Sequence, residues 1–131
     1  MKTALKKVVQ KLHDPKQVCP ANIALDLIAN KWAVKILFAL CHAEKQTMRF
    51  GQIQKTLETI TQRELTKHLR EFEKAGLVTR LVYPEVPPRV EYAMTALGDS
   101  LCKPIEILSD WAEQYGATVH KNRQKFEQKK R

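Results

Sequence analysis

Residues 61–94 read TQRELTKHLREFEKAGLVTRLVYPEVPPRVEYAM, and this stretch decides the fold. Its first four residues form a capping box. The Thr61 hydroxyl can accept a hydrogen bond from the backbone N–H of Glu64, and the Glu64 carboxylate can accept one from the N–H of Thr61. The pattern predicts a helix that begins after Thr61 and ends at Ala75-Gly76, where glycine is free to take a positive φ.

The predicted helix has two different faces. Leu65, Leu69 and Phe72 recur at i, i+4 and i+7, which is typical of a buried face. The opposite face carries side chains that can bond to base edges or phosphates, and these are the candidate DNA contacts: Thr61, Gln62, Arg63, Thr66, Lys67 and Arg70. For the helix considered alone, an ordinary solvated surface explains the same residues equally well.

The residues after this helix favour DNA binding. Residues 77–83 and 89–94 are rich in β-branched and aliphatic side chains and are predicted strands, whereas residues 84–88 (PEVPP) cannot continue a ladder and must turn. This hairpin, placed after two helices, is a wing, with Arg89 as its candidate contact to the DNA backbone. Residues 47–49 are predicted to form a short strand that pairs with the wing, and residues 50–58 the first helix of the motif.

The residues described so far resemble the HxlR-type transcriptional regulators, a branch of the MarR-like winged-helix proteins. The resemblance covers residues 19–116, through Lys31-Trp32, Arg49-Phe50, Gly76-Leu77-Val78, the wing from Tyr83 to Tyr92, and Thr95-Ala96-Leu97-Gly98. It implies a homodimeric bacterial DNA-binding regulator, which we expect to act as a repressor. Two mild departures are Thr61, where a serine commonly caps the helix, and a more basic tail beyond Gly116.

The predicted fold class is therefore α+β, mostly α: a winged helix-turn-helix domain with a β-hairpin wing and terminal dimerisation helices. With 131 residues and 44% hydrophobic content, we expect one domain. Within it, residues 1–18 form an N-terminal dimerisation helix, residues 19–94 the core, and residues 95–131 a C-terminal dimerisation helix with a basic tail. Helices are also predicted over residues 20–29 and 31–42, the second of them inside the core.

The formal charge of +9 is concentrated at the two ends of the chain. Residues 1–16 carry five basic residues against Asp14, and residues 117–131 carry six against Glu127, while the middle hundred carry twelve of each sign. DNA affinity of the middle segment must therefore come from charge gathered on one face. The basic ends can add contacts to phosphates that do not depend on sequence, or simply solubilise the chain.

Apolar stripes on the two terminal helices predict a homodimer, because stripes of this size usually mark a protein interface. The alternative is that both helices pack back onto their own subunit. A two-fold dimer would place two recognition helices about 34–36 Å apart and would bind an inverted repeat in double-stranded DNA. The candidate interface residues are Leu5, Val8, Leu12, Leu108, Trp111 and Tyr115.

The chain lacks the signatures of an enzyme. It has no Gly-rich phosphate loop, nucleophile elbow or metal-ligand spacing, so we expect no catalytic residue, no metal and no cofactor. The longest apolar stretch is too short to span a membrane, and no signal peptide is recognisable, so we expect a cytoplasmic protein without a membrane partner. His68 flanks the buried face of the predicted recognition helix and is most simply a packing residue.

The three cysteines differ in their surroundings. In a reducing compartment they argue against a disulfide framework. Cys41 lies in an apolar helix and is expected to be an inert core thiol. Cys19 precedes Pro20 at a helix N-terminus, where the partial positive charge favours thiolate. The resemblance implies that such a cysteine senses oxidants or electrophiles, with Cys102 of the other subunit as its candidate partner. The alternative for Cys19 is a capping residue without a redox role.

Two other function classes remain open at this point. A basic protein that binds nucleic acid or an acidic membrane surface without sequence preference would explain the charge. A thiol-dependent enzyme built on Cys19 would need an acid or base beside it, and none is evident in the neighbouring sequence. Neither class explains a capped helix followed by a proline-tipped hairpin, so a dimeric, sequence-specific regulator is the favoured interpretation.

Overall fold

The structure is mostly α-helical with one small antiparallel sheet, as the sequence predicts. It is a computed structural model that describes residues 3–7 and 20–130, and residues 3–7 are helical. The remaining elements are, in chain order, α1 (Pro20–Ile28), α2 (Lys31–His42), a short 3-10 turn (Glu44–Gln46), β1 (Thr47–Arg49), α3 (Phe50–Leu57), α4 (Gln62–Lys74), β2 (Val78–Tyr83), β3 (Arg89–Met94) and α5 (Ala96–Lys129).

Helix α2 is the centre of the hydrophobic core. It begins where the Asn30 side chain accepts a hydrogen bond of 2.8 Å from the Trp32 N–H, which satisfies one of the free donors at the helix start. Ile36, Leu37 and Leu40 are fully buried, as the nearly all-apolar sequence of this helix predicts. The same core includes residues from α3, α4, the sheet and α5: Ile53, Leu65, Leu69, Phe72, Leu77, Val78, Tyr92 and Ile105.

The sheet has the strand order β1-β3-β2, and both pairings are antiparallel. Met48 of β1 and Arg80 of β2 both lie opposite Tyr92 of β3, so the central strand joins the wing to the segment that precedes the helix-turn-helix. The predicted pairing of residues 47–49 with the wing is confirmed. Strand β2 begins one residue later than expected because the Leu77 N–H donates to the Phe72 carbonyl of α4.

The junction that follows α4, formed by residues 76, 77, 95 and 98, connects three elements. Gly76 has a φ of +78°, and the Leu77 N–H donates to the Phe72 carbonyl at 2.9 Å, which is the Schellman arrangement at a helix end. The Thr95 N–H donates to the Leu77 carbonyl at 3.0 Å, and the Thr95 hydroxyl accepts from the Gly98 N–H at 3.1 Å. Thr95 thus caps α5, as predicted, while it holds α5 against the start of the wing.

Helix α5 has 34 residues and is therefore about 50 Å long. Its buried residues, Gly98, Cys102 and Ile105, all lie in its first three turns. The helix continues beyond them with large apolar side chains that remain exposed: Ile107, Leu108, Trp111, Tyr115 and Phe126. Most of α5 therefore extends past the hydrophobic core of this subunit.

None of the helices in residues 3–7 and 20–130 combines the length and apolar character needed to cross a bilayer.

The close contact at the junction gives a stability prediction. A Cβ atom added at Gly98 would overlap the Leu77 carbonyl oxygen, whereas one added at Gly116 would have nothing within 4 Å. Gly98→Ala should therefore lower the free energy of unfolding by about 1–3 kcal/mol, because the backbone must move to admit the methyl group. The matched control, Gly116→Ala in the same helix, should raise it by about 0.5–1 kcal/mol. Urea unfolding measures both, and equal effects would contradict the proposed contact.

Candidate nucleic-acid interface

Helix α4 presents a polar face to solvent because its other face is anchored in the core. The capping box is present in full: the Glu64 N–H lies 3.1 Å from Thr61 Oγ1, and the Thr61 N–H lies 3.3 Å from Glu64 Oε2. Leu65, Leu69 and Phe72 are buried, as predicted. All six candidate contact residues at the start of the helix and on its polar face are exposed: Thr61, Gln62, Arg63, Thr66, Lys67 and Arg70.

The Thr66 hydroxyl is already engaged within the helix. It donates a hydrogen bond of 2.7 Å to the Gln62 carbonyl. The hydroxyl oxygen can still accept a hydrogen bond, and the Thr66 methyl group suits contact with the methyl group of thymine.

A groove of about 850 Å³ separates α4 from the wing. Four arginines line it, one each from the end of β1, from α4, from β2 and from β3: Arg49, Arg70, Arg80 and Arg89. Gln62 and Thr66 of α4 line the same groove, with Glu73 and Glu85 as its acidic members. We call this surface the arginine groove. It gathers positive charge on one face of a segment whose overall charge is neutral, which an anionic partner requires.

Arg89 differs from the other three arginines because its guanidinium is held within the wing. Arg89 Nη2 lies 3.3 Å from Glu85 Oε1, and Arg89 Nε lies 3.5 Å from Glu91 Oε1. The guanidinium also lies 4.0 Å from the centre of the Tyr83 ring, a cation–π geometry. The side chain is only 27% exposed. These contacts connect the two wing strands to the residues of the tip.

Glu91 also connects the wing to the helix-turn-helix. Its Oε1 atom lies 3.9 Å from Arg49 Nε, and Arg49 is the residue that precedes α3. The Arg49 N–H in turn donates to the Gln52 side chain at 3.0 Å, so the same residue starts α3. Arg49 and Arg80 were not among the candidate site residues. Their positions depend on the β1–β3–β2 pairing, which brings residues far apart in sequence to one face.

The structure therefore brings part of the predicted site together around the arginine groove: Gln62, Thr66, Arg70 and Arg89. Arg63 and Lys67 are exposed on α4 without lining the groove. This division suits a helix that enters one DNA groove while its flank and the wing face the adjacent backbone.

The cysteines are arranged differently from the prediction. Cys41 and Cys102 form a disulfide with a Cα–Cα distance of 5.9 Å, so the expectation of an inert Cys41 thiol is wrong. The physical reason is that Cys41 lies on the side of α2 that meets α5 and is only half-buried. Cys102, the candidate partner of Cys19, is engaged by Cys41 of its own chain. Cys19 lies outside the described residues.

The candidate dimer residues that the structure describes are exposed. Leu5, Leu108, Trp111 and Tyr115 have exposed fractions between 44% and 67%. The Trp111 and Tyr115 rings lie 5.7 Å apart on the surface of α5. Val8 and Leu12 lie outside the described residues. Within residues 3–7 and 20–130, the stripe on α5 therefore does not pack back onto its own subunit.

His68 packs against the core side of α4, as predicted. Its ring stacks on Phe72 with 6.5 Å between the ring centres. Burial lowers the pKa of the His68 imidazole below its usual value, and the adjacent Lys67 ammonium lowers it further, against the smaller opposing effects of Glu64 and Glu71. Folding therefore favours the neutral form of the His68 imidazole over the protonated form. Within the described residues, no group of three His, Cys, Asp or Glu side chains is placed to hold a metal ion.

Comparison with known proteins agrees with this geometry. The family model described as HxlR-like helix-turn-helix matches residues 27–120. An HTH-type transcriptional regulator from Methanothermobacter thermautotrophicus is 40% identical over 106 residues, which cover 81% of this chain and 79% of that relative.

Two solved structures are also similar. The redox regulator HypR in its oxidised form has a TM-score of 0.66 and 36% identity, and the match covers 73% of this chain and 96% of that chain. The reduced form of the transcriptional regulator YodB from B. subtilis has a TM-score of 0.64 and 31% identity, with 76% of this chain and 95% of that chain covered.

The His68 environment predicts how stability depends on pH. The unfolded chain binds a proton at His68 more readily than the folded chain does, so the free energy of unfolding should fall as pH decreases below about 6.5. Above that pH the imidazole is neutral in both the folded and the unfolded chain, so His68 does not lower the free energy of unfolding there. His68→Gln should remove this part of the acid sensitivity, as measured by urea unfolding at about pH 8 and about pH 5.5. His120→Gln, on the exposed part of α5, is the control and should behave like the parent protein. An unchanged acid sensitivity in His68→Gln would contradict the assignment.

Proposed function

Because this chain belongs to the HxlR-like helix-turn-helix family of DNA-binding transcriptional regulators, we propose that it represses its target genes by binding, as a homodimer, to an inverted-repeat operator. The observation that carries this proposal is the exposed polar face of α4 beside the arginine groove. A regulator of this kind acts on the chromosome, so we place it in the cytoplasm.

In this proposal α4 is the recognition helix. Its exposed residues, above all Gln62, Arg63, Thr66 and Lys67, meet base edges in the major groove. Thr61 and Arg70, at opposite ends of the same face, contact the flanking backbone. The N–H groups of Gln62 and Arg63 are not part of the capping box, and N–H groups at the start of a helix can bind phosphate.

The wing and the start of α3 supply the contacts to the DNA backbone. Arg49 and Arg80 are exposed and line the arginine groove, so they are placed to meet phosphates. Arg89 contributes mainly by shaping the wing, because Glu85, Glu91 and Tyr83 already surround its guanidinium. Arg89→Ala would then weaken all DNA sequences alike.

The homodimer is proposed from the exposed stripes. Leu108, Trp111 and Tyr115 occupy one side of α5 beyond the core, and Leu5 is exposed on the N-terminal helical segment. Trp and Tyr with aliphatic neighbours are typical of interface centres. Val8 and Leu12 continue the N-terminal stripe in sequence. A two-fold axis between the α5 helices would present two copies of α4 to successive major grooves. A dimer bound to its operator would repress by occupying the promoter, and this requires no other surface of the protein.

We also propose that Cys19 senses oxidants or electrophiles. Helix α1 begins at Pro20, so Cys19 is the residue before a helix N-terminus. That position favours the thiolate, which is the reactive form. The similar protein HypR is a redox regulator, and this supports a role of the same kind here.

The recognition-helix assignment can be tested with an operator selected from random DNA by the parent protein. Arg63→Ala and Lys67→Ala should each weaken binding to that operator by about 1–3 kcal/mol and relax the preference at one base pair. Lys74→Ala is the matched control in the same helix, because Lys74 pairs with Glu71 at 3.7 Å in the last turn. It should bind like the parent. Equal losses on the selected and on random DNA for both variants would refute base contact by this face.

The dimer can be tested independently of DNA. Trp111→Glu should weaken self-association by about 2 kcal/mol or more, because it places a charge where an aromatic side chain is expected to be buried. Gln114→Glu adds the same charge one turn along the exposed helix and should leave the dimer intact. Sedimentation equilibrium at micromolar concentration measures both. A parent protein that sediments as a monomer and still binds a single half-site tightly would overturn the dimer proposal.

A further inference from the structure

We propose that Cys41 and Cys102 form a second redox site, distinct from Cys19: an intrachain dithiol that peroxides and other two-electron oxidants convert to the disulfide seen in the structure. This disulfide cross-links α5 to α2 within one subunit. It also withholds Cys102 from Cys19 of a partner subunit, a consequence that rests on the proposed role of Cys19.

The two helices hold the sulfurs together whether or not they are bonded. Cys41 lies in the last turn of α2 and Cys102 in the second turn of α5, with a Cα–Cα distance of 5.9 Å, well within the range that a disulfide spans. One residue further along α2, His42 Nε2 lies 3.6 Å from Glu106 Oε1 of α5. Gly98 and Ile105 of α5 are buried on either side of Cys102. The reduced pair is therefore already positioned to react.

Exposure decides which sulfur reacts first. Cys102 is only 9% exposed, whereas Cys41 is partly open to solvent. An oxidant therefore reaches Cys41, and the only thiol placed to resolve the product among the described residues is Cys102. A cysteine from another subunit that paired with Cys102 would have to reach a sulfur that is 9% exposed and lies beside Cys41.

The chemistry balances with one equivalent of hydrogen peroxide. The Cys41 thiolate attacks a peroxide oxygen, the O–O bond breaks, and hydroxide leaves and takes up the proton that Cys41 released, so that water and a sulfenic acid form. The Cys102 sulfur then attacks the Cys41 sulfur. The S–O bond breaks, and the Cys102 proton leaves with the hydroxide as a second water. Two thiols are oxidised to one disulfide, and peroxide is reduced to two waters.

Because we place the protein in the cytoplasm, the Cys41–Cys102 disulfide should be reversible and not a permanent cross-link. Disulfides in a reducing compartment are usually transient, because thioredoxin and glutathione systems return them to thiols. The bond closes a loop with a sequence separation of 61 residues and joins the core helix to the helix that carries the proposed dimer stripe. It should therefore stabilise the subunit and fix the base of α5.

The test uses the full chain, reduced and then treated with hydrogen peroxide, with the remaining thiols alkylated before peptide mapping. In Cys19→Ser, oxidation should join the Cys41 and Cys102 peptides, leave the chain at monomer size on a non-reducing gel, and raise Tm by roughly 5–10 °C. Cys41→Ser and Cys102→Ala should each abolish that rise. If both thiols remain open to alkylation after peroxide treatment of Cys19→Ser, the proposal is overturned.

The parent protein separates this inference from the proposed role of Cys19. Oxidised parent should also lack a covalent dimer, and Cys41→Ser should gain one if Cys102 is thereby freed for Cys19 of a partner. A Cys19–Cys102 cross-link in oxidised parent would overturn the present proposal. A Cys19 that stays unreactive, with the Cys41–Cys102 disulfide formed, would refute Cys19 sensing and leave the intrachain site supported.

Discussion

The contact between Gly98 and the carbonyl of Leu77 fixes how the recognition helix, the wing and α5 are arranged. The Leu77 N–H donates to the Phe72 carbonyl at the end of α4, and Leu77 directly precedes the first residue of β2. The Leu77 carbonyl accepts a hydrogen bond from the N–H of Thr95, the residue that caps α5. Three functional elements therefore meet at the backbone of one residue. The backbone makes these bonds, and a Cβ atom at residue 98 would overlap the Leu77 carbonyl oxygen at the point where the three elements meet.

A second constraint is electrostatic. The middle of the chain has no net charge, yet the fold gathers four arginines in one groove. The acidic residues near them are not spread evenly: Glu85 and Glu91 hold Arg89 inside the wing, while Arg80 stays exposed on the neighbouring strand. The Glu85 and Glu91 carboxylates thus order the wing through Arg89, while the exposed Arg80 can contact phosphate. The arrangement of charge, more than its total, is what suits this surface to DNA.

Sequence reasoning succeeded where the signal is local. The capping box at Thr61, the proline-rich tip and the cap at Thr95 each lie within a few residues, and the structure confirms them all. It failed where residues distant in the chain meet. Arg49 and Arg80 join the arginine groove only through strand pairing, and Cys41 meets Cys102 across 61 residues. The apolar character of α2 predicts a core position for Cys41, but helix periodicity alone does not show which flank a neighbouring helix will cover.

Helix α5 has a buried face and an exposed apolar face at different angles around its axis. Gly98, Cys102 and Ile105 recur at i, i+4 and i+7 and face the core of their own subunit. At 3.6 residues per turn, Leu108, Trp111 and Tyr115 lie about a third of a turn away from that face. The helix can therefore remain packed on its own core while it offers the exposed face to a second copy. The direction of that face is set at the base of the helix, where the junction at Gly98 and the disulfide at Cys102 hold it at two points one turn apart. Ile105 also packs in the core three residues further along, so the start of the helix keeps its direction and the disulfide adds a covalent link to contacts that are already present.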